Sequence, residues 1–122
     1  MSHIANSRLG RFAVAVALAT MPVAVLAHHG WSSYNEDEPI TLSGPLHDVN
    51  WGNPHGSAKM NWRDGEWDVV LAPVSRMEQR GLTLDAIDDG KRITLTGYVR
   101  RDGTREMRVE RIKAGGKIVE LR

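Results

Sequence analysis

The sequence predicts a mainly β fold class, a small antiparallel barrel carrying one short helix. Three observations point there. From Ile40 onward, apolar residues alternate with polar ones in short runs, the period of half-buried strands. Tight-turn dipeptides recur between those runs, at Asp64-Gly65, Asp102-Gly103 and Gly115-Gly116. One segment in the middle, residues 73–80, keeps a helical spacing instead.

The elements follow in order. Ile40, Leu42, Leu46, Val49 and Trp51 mark a first strand. Its apolar set moves from even to odd positions, as an inserted bulge residue would move it, and Gly44-Pro45 is the expected bend. Trp51-Gly52-Asn53-Pro54 reads as a turn. Ala58, Met60 and Trp62 share one face of a second strand, and Trp67, Val69 and Leu71 one face of a third. Pro73 suits the first turn of a helix over Pro73–Arg80, with Val74 and Met77 on one side and Gly81 as its C-terminal stop. Leu84 and Ile87 allow one more helical turn. Ile93, Leu95, Gly97 and Val99 make a fourth strand. Met107, Val109 and either Arg111 or Ile112 make a fifth, and residues 117–121 (KIVEL) a last one. Three strands, a short helix, then two or three strands is the order of an OB-like β-barrel. The expectation is therefore five to six strands with the helix between strands 3 and 4. Closure would also hide edges that a small open sheet exposes.

Residues before Ile40 have a different character. Arg8 and Arg11 precede an apolar run, Phe12 to Leu26, which ends in Val25-Leu26-Ala27. That is the layout of a signal peptide, 1–27, with cleavage after Ala27. The run is short for a membrane span, which needs about 20 residues, and Pro22 interrupts it. The chain is then expected in the periplasm or outside the cell, with no membrane attachment after cleavage. Residues 28–39 form a polar N-terminal arm and 40–122 the barrel. The processed chain has 95 residues, enough for one domain with a modest core. It keeps 14 basic and 15 acidic side chains, so the apparent basic balance of the full chain leaves with the leader. There is no cysteine and hence no disulfide staple.

In combination, HHGW after the leader, WGNPH, LAPVSRMEQRGL, GYVRRDGTREMRVERI and GKIVELR resemble a family of small exported bacterial proteins catalogued as a domain of unknown function. The resemblance spans the processed chain and implies an exported, periplasmic, barrel-like domain. It supplies no activity. The strand order is also similar to that of periplasmic bacterial OB-fold proteins, which is a likeness of fold alone.

The candidate chemistry is metal binding. If cleavage exposes His28, that residue carries an α-amino group with a pKa of about 8. Its amine and imidazole can chelate one ion, and another imidazole would complete a set of three nitrogens, which favours Cu(II) or Ni(II). That third ligand is His29 or, better placed, His55, which sits in the Pro- and Gly-fixed turn 52–56. A copper ion is the expected cofactor, with His28, His29 and His55 as candidate ligands. Met60 and Met77 have soft sulfur atoms but occupy core positions, and His47 lies in the first strand beside Asp48. Trp31 and Tyr34 are large rings in a polar arm and need something to cover them. Either they anchor the arm on the barrel, or they dock on an exported protein partner, which would make the domain a metal-free interaction module. Arg100, Arg101, Arg105, Arg108, Arg111 and Lys113 are interleaved with Asp102, Glu106 and Glu110, so nucleic acid is not an expected partner. No nucleophile elbow, phosphate-binding glycine loop or HExxH motif is present, and the chain is not expected to be an enzyme. Oligomeric state is not legible.

Overall fold

The computed structural model describes residues 30–63, 65–88 and 90–122. Its strands are β1 (Ile40–Pro45), β2 (His47–Asn50), β3 (Ser57–Trp62), β4 (Gly65–Val70), β5 (Arg92–Val99), β6 (Glu106–Ala114) and β7 (Lys117–Glu120). Helices α1 (Val74–Gln79) and α2 (Leu84–Ile87) lie between β4 and β5, and a short 3-10 turn covers Trp31–Ser33. Among the described residues no helix is long and apolar enough to cross a membrane.

The sheet order is β1-β5-β6-β4-β3-β2, with β7 also paired to β6. The two ends of that order, β1 and β2, are one stretch of chain separated only by Leu46. The sheet therefore curls until its ends meet in the segment 40–50, the wrapping of an OB-like barrel. The pairing of β4 with β6 is parallel, and the remaining pairs are antiparallel. Contact across the curl is close, since a Cβ on Gly44 would stand 3.6 Å from the Met60 Cε of β3.

Alternation sets the inner face. Leu42, Leu46, Ala58, Met60, Trp67, Val69, Ile93, Leu95, Met107, Val109, Ile112 and Val119 are buried together, with Met77 and Ile87 added from the helices. Met60 and Met77 are thus core side chains. The outer face is polar, and Thr41 meets Thr96 (3.1 Å) and Ser43 meets Thr94 (2.7 Å) hydroxyl to hydroxyl.

The bend in the first strand lies later than Gly44-Pro45. Even positions stay buried through Leu46, and Pro45 still pairs with Arg92. The register breaks between His47 and Asn50, where Asp48 has φ 49°. An aspartate tolerates that left-handed backbone because its short side chain can hydrogen-bond locally. A second irregularity, between Thr96 and Gly97, decides the fifth strand in favour of Ile112 as its inward residue. Gly97 is required there, because a Cβ would meet the Arg108 carbonyl oxygen at 2.4 Å.

Candidate functional site

Four strands present one row of side chains on the outer face. Tyr98 on β5 stands opposite Arg108 on β6, Arg108 is level with Val70 on β4, and Val70 is opposite Ser57 on β3. His55 lies two residues before Ser57. Gly56 is tied into the sheet, its N–H donating to the Ala72 carbonyl and its carbonyl accepting from Leu71 N–H, both at 2.9 Å. A Cβ on Gly56 would point at Met77 Cε (2.8 Å) and Leu71, so Gly56 faces the core. Ser57, the first residue of β3, then faces outward, because side chains alternate along a strand, and His55 immediately precedes Gly56.

The arm is fastened onto this face. Tyr34 is only 3% exposed, and its hydroxyl donates to Glu106 Oε2 at 2.8 Å. The arm backbone is sewn to the end of β5 by Asn35 N–H to the Val99 carbonyl (2.8 Å) and Arg101 N–H to the Ser33 carbonyl (2.9 Å). Trp31 lies edge-on to Tyr98 with ring centroids 6.0 Å apart. Two guanidinium groups, of Arg108 and Arg122, each stand 4.4 Å from its ring centroid. Tyr34 is thus buried on the chain itself, and Trp31 is half-buried against it.

The chain end completes the surroundings. β4 borders the first part of β6 and β7 the second, so their ends meet beside Arg108 and Glu110. Leu121 N–H donates to the Glu110 carbonyl (2.7 Å), and Arg76 of α1 donates to the Leu121 carbonyl (3.1 Å). Arg122 reaches Glu36 of the arm at 2.5 Å and Glu110 at 3.7 Å. Tyr98 hydroxyl donates to the other oxygen of Glu110 at 2.7 Å.

The electrostatics follow from this crowding. Burial holds the Arg108 guanidinium below its ordinary range; Tyr34 opposes the shift, and nearby Arg76 and Arg122 reinforce it. Burial raises the Tyr34 hydroxyl above the usual phenol range, and the Glu106 hydrogen bond and charge add to it. The Tyr98 hydroxyl is raised chiefly by its hydrogen bond to Glu110. Both phenols are therefore neutral donors at any physiological pH.

His55 Nδ1 lies 3.4 Å from the Gly56 carbonyl oxygen, and the ring is part-buried. The turn before it contains a cis Asn53–Pro54 bond. His47 is engaged elsewhere, its Nε2 at 3.0 Å from Glu66 Oε2, while Glu66 Oε1 accepts from Lys59 at 3.2 Å. That pairing, led by the His47 hydrogen bond, holds the Glu66 carboxyl below its ordinary value. His28 and His29 lie outside the described residues. Among the described residues, no group of three or more His, Cys, Asp or Glu side chains could hold a metal ion. The sequence pattern puts Arg108 and Glu110 among ordinary interleaved charges and gives no site role to Arg76, Arg122 or Glu36. Alternation along β6 does put Arg108 and Glu110 on one face. The contact of Arg122 with Trp31 and Glu36 joins opposite ends of the chain and leaves no local signal.

A family of unknown function, DUF6152, has a model that matches residues 15–109. No curated protein matches the chain significantly.

Proposed function

The chain belongs to the DUF6152 family of unknown function, and we propose that it is an exported, periplasmic binding protein with a histidine-based copper site at its processed N-terminus. The ligands are the α-amine and imidazole of His28 with the imidazole of His55, and His29 stands beside them. No nucleophile or acid–base pair is assigned, and the protein binds without catalysing.

One observation supports this reading: the arm is pinned over a row of outward residues that reaches Ser57, two residues from His55. Trp31 is held over Arg108 and Tyr98, and the row from β6 through β4 reaches β3 two strands away. Neighbouring strands lie about 4.8 Å apart, so the β3 side is roughly 10 Å from Arg108. Residues 28–30 span at most about 10 Å of chain. The proposed amino terminus therefore starts from an anchored point about two strands from β3, a separation comparable with that length of chain. Fixing a ligand before the metal arrives lowers the ordering cost of binding. The alternative, a metal-free module whose arm docks on an exported partner, would have to use the exposed part of Trp31, since Tyr34 is buried in the chain.

The test has two parts. Intact mass and N-terminal sequencing of the exported protein should give a chain beginning at His28. Cu(II) affinity of that chain, read by EPR, should fall at least tenfold in His28→Ala and in His55→Ala, and stay unchanged in His47→Ala. A different N-terminus, or equal affinity in all variants, refutes the site.

A further inference from the structure

The barrel has a concave feature towards the end of β3 away from His55. His55 precedes β3 and Trp62 closes it, so the two stand about 20 Å apart at the usual rise per residue. Around Trp62 the mouth of the barrel opens into a cavity of about 380 Å³. Its lining is mixed in an ordered way. Ile40, Trp62 and Val99 form an apolar wall and are all partly buried. Arg63, Arg100, Arg101, Asn35 and Glu38 supply the polar lining. A barrel mouth with apolar walls and a few convergent polar groups is a common form of small-molecule site.

The charges separate into those already used and those that remain for a ligand. Arg100 is bound by Asp102 (2.9 Å) and Glu106 (3.0 Å), an internal pair that holds the β5–β6 turn. Arg101 is steadied through its Nε, which donates to the Ser32 carbonyl at 3.3 Å. Arg63 lies with its guanidinium 4.1 Å from the Trp62 ring centroid. Each guanidinium has five N–H donors in a flat fork, and these contacts use few of them. That fork matches a carboxylate, which it can bind through two parallel hydrogen bonds. Trp62 in turn is held edge-on against Trp67, with centroids 4.8 Å apart, so it is a fixed wall. Among the described residues, Glu38 is the one carboxylate on the lining.

We propose that this mouth binds a small carboxylate with a flat apolar body. The body rests against Ile40, Trp62 and Val99, and the carboxylate meets the forks of Arg63 and Arg101. The site shares the arm with the proposed metal site through Asn35, Glu38 and the Ser32 carbonyl, but it needs no metal ion. Glu38 opposes the anion and limits affinity, which gives the site a chemical signature.

Phenylacetate is the probe, titrated into the protein while the Trp62 indole N–H is followed by NMR. Saturable binding is expected, at least tenfold tighter than that of neutral phenylacetamide. Arg63→Gln and Arg101→Gln should each weaken phenylacetate at least tenfold with little change in unfolding midpoint, because both residues are exposed. Glu38→Gln should tighten it severalfold, and His55→Ala should leave it unchanged. Equal affinity for acid and amide, wild-type binding in both arginine variants, or weaker binding in Glu38→Gln would each overturn the proposal.

Discussion

Tyr34 shows how one side chain decides where the arm sits. A phenol in a polar stretch loses apolar contact with water only if it finds cover, and here it finds the end of β5 and β6. Its hydroxyl must then be satisfied, which Glu106 does. The shared Glu106 links Tyr34 to Arg100, so arm and hairpin are tied through one carboxylate. Tyr34→Phe is expected to cost about 1.5–3 kcal/mol at neutral pH, the usual net value of a hydrogen bond to a charged group. The pH dependence has a definite sign. The folded phenol titrates above its unfolded value, so its contribution is complete below about pH 10 and is lost as pH rises beyond that. Urea unfolding from pH 9 to 11.5 should show wild-type stability falling more steeply than that of Tyr34→Phe. Parallel curves would mean that Tyr34 is not held as described. At this scale much was legible. Trp31 and Tyr34 stand out because large rings in a polar run need a surface. The partners of Trp31 were not legible, because Arg108 and Arg122 lie far along the chain.

Among the elements, the arm is the one whose behaviour matters most for the proposed site. It has no strand of its own and is held by the single bridge of Tyr34 with Arg100 and by side chains. Such segments open at lower free energy than the sheet they rest on. Trp31→Ala should therefore raise amide exchange at Asn35 and Arg101, whose N–H groups bind Val99 and Ser33. Amides in the middle of β5 and β6, such as those of Leu95 and Val109, should exchange at wild-type rates. Hydrogen–deuterium exchange checks this, and faster exchange spread through the sheet would show Trp31 to be a core residue instead. The strands and helix were readable from alternation, turn dipeptides and the pairing of Pro73 with Gly81. The misplaced bend has a physical cause. Glycine and proline advertise turns strongly, whereas a left-handed Asp48 has no comparable signature.

At the scale of the whole molecule, the order of elements made the barrel legible, because few closed topologies fit three strands, a helix and then further strands. Closure itself depends on segment 40–50 pairing with both β5 and β3, and on the parallel contact of β4 with β6. Neither follows from local pattern. The same closure sets His55 and Trp62 towards opposite ends of β3, and the arm links the two regions, with Trp31 over Arg108 and with Asn35 and Glu38 on the lining of the mouth. The two proposals can still fail independently. The candidate site was only half legible. His55 was found from its turn, but the cation-flanked ring of Trp31 emerges only when distant strands are brought together.

The most direct measurement is Cu(II) broadening of amide signals in the ¹H–¹⁵N spectrum of the chain that begins at His28. Cu(II) relaxes nearby nuclei strongly, so the broadened residues map the ion. A site shared by the new amino terminus and His55 should broaden Gly30, Trp31, His55 and Ser57 together at one equivalent, and leave the Trp62 indole sharp. Broadening confined to the arm, with His55 and Ser57 unaffected, or centred instead on His47, would contradict it.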